Sequence, residues 1–284
     1  MDRILLTDAG VGNSEDMLKF LLDIPVFQRS KVTVLHVVAP QTSALKMEQK
    51  KQEGDKIIAR SKASLPLDSL RADWVLQEGD PKIVVCRVAE RLEPNLIIMG
   101  SRGLNRLEAV FQNSVSQYVF QSTSCSILQV KDNSYVKKIR KVLVAINKSE
   151  ISEQALDLAL AMVRDIKGGR LVFVHVREEL PRRTTNKSEI ELDDKPADQN
   201  PILAPAVARA KRLGLKYQCE APKGKAGESI SQLADELNVD LVVMGSPEKR
   251  PAAARQIPDL ERLIGKSVSD YVRVKAPCPV LLLR

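Results

Sequence analysis

Short apolar runs recur along the chain at intervals that suit an alternation of strands and helices. The runs ILLT, VTVLHV, LIIMG and SILQV are apolar at nearly every position, which is typical of strands buried on both faces of a sheet. Between the runs lie stretches with apolar residues at helical spacing, such as SEDMLKFLLDI at 14–24 and PKIVVCRVAERL at 81–92. Strands alternating with helices predict a mostly parallel, doubly wound sheet with right-handed crossovers.

The whole pattern occurs twice. VTVLHV at 32–37 is matched by LVFVHV at 171–176, LIIMGS at 96–101 by LVVMGS at 241–246, and SVSQYV at 114–119 by SVSDYV at 267–272. Helical stretches repeat as well, with SEQALDLALAMV at 152–163 and ESISQLADEL at 228–237 in the second copy. We therefore predict two tandem Rossmann-like α/β domains, residues 1–133 and 138–284, each with a mostly parallel five-stranded sheet flanked by helices.

The stretch 178–205 of the second copy interrupts this pattern. It reads EELPRRTTNKSEIELDDKPADQNPILAP and is rich in proline, charged residues and small polar residues. Such a composition predicts a long surface loop. The alternative is a lid or a segment that docks a partner, because long loops are often functional.

Composition and charge narrow the class of protein. The chain has 284 residues and a net charge of +8, but the two signs are interspersed and only 4% of the residues are aromatic, so nucleic-acid binding is not predicted. The four cysteines form no C-x-x-C pair, and reduced core thiols in a cytoplasmic protein are expected. MDRILLTDAG shows no cleavable signal pattern, and no apolar run approaches the roughly 18 residues of a membrane span.

Catalytic groupings are not evident in the sequence. His36 and His175 are the two histidines, and both fall near the ends of apolar strands without a paired nucleophile. They are therefore interpreted as hydrogen-bonded core histidines. One histidine per domain also gives no metal-ligand spacing. Acids at the helix starts, Glu15, Asp16 and Glu153, are interpreted as partners of the helix dipoles, so neither an enzyme nor a metal site is predicted.

A glycine-containing turn in each copy is the candidate for ligand binding. In the first copy it reads MGSRGLNRLEAVFQNSV at 99–115, directly after a buried strand. Gly100 permits close approach of the backbone to a phosphate, and Ser114 can begin a helix whose free N–H groups and dipole face an anion. Arg102 can add a charge-assisted contact.

The order of these motifs resembles the universal stress protein family over both copies. The shared features are the acid after the first strand, the His-Val strand end, the Met-Gly-Ser turn, the Ser-Val helix start and the final Cys-Pro-Val-Leu run of the second copy. The resemblance implies a five-stranded parallel α/β domain; some members bind ATP or AMP, others lack the nucleotide motif, and many dimerise through the last strand.

The resemblance also assigns roles to residues of the first copy. It implies that Asp8 reaches the ribose and that the backbone of Val37 meets the base. The phosphates would be held by Gly100, Gly103, Ser114 and Val115, with Arg102 beside them. Asn113 stands where the family has glycine, and the loop DAGVGNS is one residue longer than its counterpart NKSEIS.

The second copy departs further from the nucleotide motif. Asn147 replaces the acid, Glu248 replaces the second glycine, and sixteen residues separate Glu248 from Gly265. An anionic side chain in the turn repels phosphate, and Pro247 lacks an N–H donor. The predicted cofactor is therefore ATP or AMP, with or without Mg, in the N-terminal domain alone.

Three functions remain open at this point. The first is a stress-response regulator in which the bound nucleotide acts as a conformational signal, and the second is a nucleotide-independent adaptor for an unknown protein partner. A slow ATPase is the third. The resemblance also leads us to expect an intrachain pseudo-dimer, in which SILQVK pairs with PVLLLR edge to edge, and a possible homodimer.

Overall fold

A computed structural model describes residues 1–68, 70–101, 114–131, 138–177, 196–246 and 267–284. These residues fall into two compact units, one from residues 1–131 and one from residues 138–284. Within the described ranges, no helix is both long enough and apolar enough to cross a membrane. Each unit is described below on its own.

The first unit is a parallel five-stranded sheet with helices on both faces. Its strands are β1 (Arg3–Thr7), β2 (Lys31–Val38), β3 (Ala72–Glu78), β4 (Leu96–Ser101) and β5 (Ser126–Lys131). Its helices are α1 (Asn13–Leu22), α2 (Ala44–Ser64), α3 (Pro81–Leu92) and α4 (Val115–Ser122). The strand order is β3-β2-β1-β4-β5, with every pair parallel.

The second unit repeats the same arrangement. Its strands are β6 (Lys141–Ala145), β7 (Arg170–Val174), β8 (Lys216–Glu220), β9 (Leu241–Gly245) and β10 (Val280–Leu283). Its helices are α5 (Glu150–Arg164), α6 (Ala204–Arg212), α7 (Ala226–Glu236) and α8 (Val268–Lys275). The order β10-β9-β6-β7-β8 is again parallel throughout, so the predicted tandem α/β fold is confirmed.

Local sequence explains where several helices begin. Helix α3 starts at Pro81, whose missing N–H costs nothing in the first turn, and the side chain of Asp80 accepts from the Lys82 N–H at 2.8 Å. Helix α6 starts at Ala204, inside the stretch predicted as a loop, because Pro205 is equally well tolerated in a first turn. A 3₁₀ turn at Ala197–Gln199 precedes it, and residues 178–195 lie outside the described ranges.

The strand order fixes where a ligand can bind. In each unit the chain reverses its direction across the sheet next to the first strand, between β1 and β4 and between β6 and β9. Ligands of doubly wound sheets bind beyond the carboxyl ends of the strands at such a switch point. The loops that follow β1, β4, β6 and β9 are therefore the positions that matter for function.

Candidate functional site

The predicted first-domain residues surround the switch point as far as the structure describes them. Asp8 directly follows β1, Val37 lies in β2 opposite Gln77, and Gly100 lies in β4 opposite Val130. Ser114 and Val115 start α4. The remaining predicted residues, Arg102, Gly103 and Asn113, lie outside the described ranges. Their roles, like those of the other predicted contacts, stay predictions.

Ser114 occupies the position of a helix cap but does not use its side chain as one. Its backbone is extended, at φ −71° and ψ 127°, and its hydroxyl lies 2.8 Å from the hydroxyl of Ser116. In the second domain the equivalent Ser267 does cap its helix, since its hydroxyl accepts from the Asp270 N–H at 3.1 Å. The α4 start thus differs from its repeat in how the first-turn N–H groups are satisfied.

Both histidines fix the loop after the first strand of their domain. The Nδ1 of His36 lies 2.7 Å from the backbone carbonyl of Asp8, and the Nδ1 of His175 lies 2.9 Å from that of Ile146. A carbonyl only accepts, so each ring carries its proton on Nδ1 and donates it. Both histidines are hydrogen-bonded as expected, but they are half-buried at the strand ends rather than enclosed in the core.

The side chain of Asp8 lies in a buried polar cluster rather than at an open surface. Asp8 and Glu15 are each 3% exposed. One Asp8 carboxylate oxygen accepts from the Gly10 N–H at 2.7 Å, and the other lies 2.7 Å from the Ser61 hydroxyl. The same hydroxyl lies 2.8 Å from Glu15, which also pairs with the guanidinium of Arg60 at 2.9 Å. We refer to Asp8, Glu15, Arg60 and Ser61 as the Asp8 cluster.

The Ser61 hydroxyl lies among more acceptors than it has hydrogens. Three oxygens surround it, from Asp8, from Glu15 and, at 3.0 Å, from the backbone carbonyl of Ile57. A serine hydroxyl has one hydrogen to donate. Ser61 therefore donates to one of these oxygens at a time, and the two carboxyls compete for that hydrogen.

The two carboxyls of the cluster differ in their electrostatic environment. Burial raises the pKa of Asp8, and the hydrogen bond with Glu15 raises it further. Burial alone would also raise the pKa of Glu15, but hydrogen bonds from Asp8, Ser61 and Arg60 outweigh it and lower that pKa. Asp8 is therefore the carboxyl of the pair that protonates first as the pH falls.

Helix α2 supplies the contacts that the sequence interpretation missed. Its Gly54, Ile57, Ser61 and Ser64 share one helical face, and Ser64 donates to the second Glu15 oxygen at 3.1 Å. Glu15 lies in the first turn of α1, as expected of a dipole partner, but its carboxylate is committed to α2. In the sequence, the small residues Gly54 and Ser61 within a charged stretch are the signal that this face of α2 packs closely.

The second domain has a cavity at its own switch point. The cavity measures about 450 Å³, which lies within the usual range of small-molecule sites. The strand ends contribute residues 145–147, 174–176 and 244–245, and the helices contribute Ser152, Ala226, Ile230 and residues 267–269. The walls are thus mostly apolar, with polar groups at the strand ends and at the start of α8.

The polar groups around this cavity come from the first-strand loop and from serines. The Asn147 side chain is held locally, because its oxygen accepts from the Ser149 N–H at 2.9 Å and from the Ser149 hydroxyl. At the other end, the buried Ser246 donates to Ser269 at 3.0 Å, and Ser269 lies 3.1 Å from Ser267. Hydroxyls therefore line the approach to the N-terminus of α8, where backbone N–H groups favour an anion.

Comparison with known sequences places the repeat in a family. The sequence profile described as the universal stress protein family matches residues 1–131 and again residues 138–284. The chain belongs to the universal stress protein family. Both copies of this tandem universal stress protein match, including the second, in which the nucleotide motif is interrupted.

Curated relatives match this universal stress protein over short segments. They include the universal stress protein A-like protein of Arabidopsis thaliana, 36% identical over 61 residues that make up 22% of this chain and 34% of the relative. Another is the universal stress protein YxiE of Bacillus subtilis, 31% identical over 28% of this chain and 55% of the relative. The matches thus span between a third and just over half of these relatives' own lengths.

Solved structures match the fold over the whole chain. A universal stress protein from Archaeoglobus fulgidus, 22% identical, covers 100% of this chain and 96% of its own, with a TM-score of 0.69. A functionally unknown protein, PA1789 of Pseudomonas aeruginosa, is 11% identical over 100% of this chain and 92% of its own, with a TM-score of 0.58. At these identities the likeness shows the tandem fold alone.

Reactive groups are sparse in the described part of this universal stress protein. No group of three or more His, Cys, Asp or Glu side chains in those residues could hold a metal ion. Burial raises the pKa of the Cys219 thiol to about 11, so this thiol is protonated at neutral pH and is a poor nucleophile.

Proposed function

We propose that this protein is a regulatory universal stress protein that binds an adenine nucleotide, ATP or AMP, through the cavity of its second domain. The observation that carries the proposal is the cavity of about 450 Å³ at the β6–β9 switch point. Family resemblance suggests the class of ligand, and the cavity has a suitable size and lies at the carboxyl ends of the strands, where such ligands bind.

The chemistry of the cavity suits the two ends of an adenine nucleotide. Apolar side chains such as Ile146, Val176 and Ile230 offer contacts to the flat base. Asn147 offers its side-chain amide to the ribose once its oxygen releases the hydrogen bonds from Ser149. The α8 start, with the hydroxyls of Ser267 and Ser269, faces the same cavity and is suited to phosphate.

The first-domain site predicted from the motif is the second candidate for the same ligand. Gly100 and the start of α4 at Ser114 and Val115 have the positions that a phosphate loop requires. Asp8, however, is committed to the Asp8 cluster, so a ribose contact there requires a change in α2. The second domain therefore has an open cavity for the nucleotide, whereas a ribose contact in the first domain requires α2 to move.

The proposed role is a signal rather than a reaction. A nucleotide that binds one conformation more tightly than another shifts the population of conformations by that difference in affinity. His175 lines the cavity, and its Nδ1 is held by the Ile146 carbonyl, which fixes the loop after β6. An adaptor that needs no nucleotide is the remaining alternative, and direct binding distinguishes the two.

Filling the cavity should abolish nucleotide binding to the second domain. Ala226 lines the cavity at the start of α7, and a phenylalanine in its place would occupy the space of the base. We expect Ala226→Phe to weaken ATP and AMP binding by at least tenfold in equilibrium dialysis with radiolabelled nucleotide. The wild-type protein should bind in the micromolar to millimolar range.

Gln232→Phe is the matched control, because it adds the same ring to an exposed position of the same helix. Its affinity should equal that of the wild type. Failure of the wild type to bind either nucleotide at millimolar concentration would rule out the regulatory proposal and favour the adaptor. Equal affinities of Ala226→Phe and wild type would place the site outside this cavity.

A further inference from the structure

We propose that helix α2 is an autoinhibitory element that closes the first-domain nucleotide site by holding Asp8 through Ser61 and Arg60. The inference rests on the proposed function, because it concerns access of the same class of ligand to the first domain. It adds a regulatory device: the first domain binds nucleotide only after α2 releases Asp8.

Asp8 is inaccessible in the structure because α2 covers it. The Asp8 side chain is 0% exposed, although Arg60 on the outer side of the contact is 48% exposed. Arg60 also donates to the backbone carbonyl of Gly10 at 3.2 Å, and the Ile57 side chain packs against Gly10. One face of α2 thus holds both the side chain of Asp8 and the loop that follows it.

The contact made by Ser61 lies where the family resemblance expects a nucleotide contact. That resemblance implies that the Asp8 carboxyl contacts a ribose hydroxyl. The Ser61 hydroxyl lies 2.7 Å from the Asp8 carboxyl. Because α2 leaves the Asp8 side chain 0% exposed, a ribose reaches that carboxyl only when α2 moves away.

Helix α2 is held weakly enough to act as a movable element. Of its 21 residues, only Gly54 and Ser61 are buried, whereas eight of the 15 residues of α5 are buried. Elements with few buried apolar contacts open at low free-energy cost. The polar contacts of the Asp8 cluster consequently make up a large share of what keeps α2 in place.

The second domain lacks this arrangement at the equivalent position. Ile146 stands at the position of Asp8, since both follow the first strand and both carbonyls accept from the strand-end histidine, and it has no carboxylate for a helix to hold. Glu153 stands at the position of Glu15 and is exposed. The helix that corresponds to α2 is α6, which has nine residues instead of 21. The open cavity lies in this second domain, so the long helix and the closed site occur together in the first.

The test separates the two domains by using Ala226→Phe as the background, in which ATP binding to the second domain is weakened at least tenfold. Arg60→Gln/Ser61→Ala is added to remove the contacts to Asp8, and Lys50→Ala/Glu53→Ala is the matched control on the exposed face of α2. ATP binding is measured by equilibrium dialysis. Hydrogen exchange of residues 57–64 reports whether the helix has opened.

We expect Arg60→Gln/Ser61→Ala to raise the first-domain affinity for ATP at least tenfold and to speed exchange in residues 57–64, with no change in the control. Ser61→Ala alone, which keeps the Arg60–Glu15 ion pair, should show a smaller increase. It provides a milder variant if the double substitution is unstable.

Two results would overturn the inference in different ways. If ATP binds the wild type but the Ser61 variants change its first-domain affinity by less than threefold, α2 does not control access and the proposed function stands. If no variant with or without the Ala226→Phe substitution binds ATP, the proposed function fails and the inference fails with it.

Discussion

Asp270→Ala is expected to lower the free energy of unfolding of the second domain by about 3–5 kcal/mol, as found when one partner of a buried ion pair is removed. Asp270 and Arg273 are each 2% exposed, and the Arg273 guanidinium donates to the Asp270 carboxylate at 2.7 Å. Burial lowers the pKa of Arg273, while Asp270 opposes this. Without Asp270, a buried cation loses its counter-charge.

The first repeat supplies the compensating substitution. In SVSQYVF at 114–120 the equivalent positions hold Gln117, 3% exposed, and Phe120, fully buried. Asp270→Gln/Arg273→Phe places that pair in the second repeat, and buried ion pairs replaced by well-packed residues often lose little stability. We expect the double variant to recover at least half of the stability that Asp270→Ala loses.

Urea denaturation, together with hydrogen exchange of the β6 and β9 amides, measures the loss in the second domain specifically. Lys275→Ala changes an exposed charge of the same helix and should have little effect. A loss below 1 kcal/mol for Asp270→Ala would mean that water or another group compensates the Arg273 charge.

The sheet was predictable because its central strands are buried on both faces. The runs that became β1, β4, β6 and β9 are apolar at nearly every position, so no tertiary information is needed to recognise them. The edge strands β3 and β8 were not located, because ADWVLQE and KYQCE are half-exposed and carry polar residues. An edge strand is recognised only once its neighbour in the sheet is known.

Helix α2 illustrates why the site itself could be predicted only in part. The motif correctly indicated which strand ends border the switch point, since that follows from strand order and repeat alignment. The partners of Asp8 did not follow, because Ser61 is 53 positions away and is brought to Asp8 by the path of α2. That face of α2 packs through Gly54, Ile57 and Ser61, and two small residues and one isoleucine give no amphipathic stripe.

The burial of Asp8 also explains why the sequence predicts the nucleotide site in the first domain although the cavity lies in the second. The motif shows that Asn147 stands where the family has an acid, but it does not show that Asp8 is held by Ser61 and Glu15. Ile146 follows β6 without a carboxyl and lines the open cavity, whereas the acid that follows β1 is buried beneath a helix. A motif lists residues that can contact a ligand, and the fold decides which of them are accessible.

The raised pKa of Asp8 should make the first domain's stability depend on pH, and Asp8→Asn should remove the part of that dependence that Asp8 contributes. The folded pKa of Asp8 is raised above the ordinary value of 3.8, so its stabilising contribution is complete below that pH and is lost as the pH rises through the folded pKa. The pKa of Glu15 is lowered, so its contribution is present above 4.5 and is lost as the pH falls through its folded pKa.

An asparagine at position 8 mimics the protonated acid at every pH, because its amide can donate to Ser61 or Glu15 while its oxygen accepts from the Gly10 N–H. Asp8→Asn should therefore gain stability over the wild type as the pH rises above about 4, by at most about 1.4 kcal/mol per pH unit until the folded pKa is passed. Asp8→Ala should instead lose about 1–3 kcal/mol, because the Gly10 N–H loses its acceptor and the buried Ser61 hydroxyl loses its contact with residue 8.

Urea denaturation of the three proteins between pH 3.5 and 8, with hydrogen exchange of the β1 and β2 amides, measures these differences in the first domain. Asp73→Asn, an exposed acid on β3, is the control and should run parallel to the wild type. If the curves of Asp8→Asn and wild type are also parallel, Asp8 is ionised throughout and Ser61 binds a carboxylate. An upward divergence with pH would establish that α2 is fastened to a protonated acid, and that α2 holds Asp8 less firmly as the pH rises.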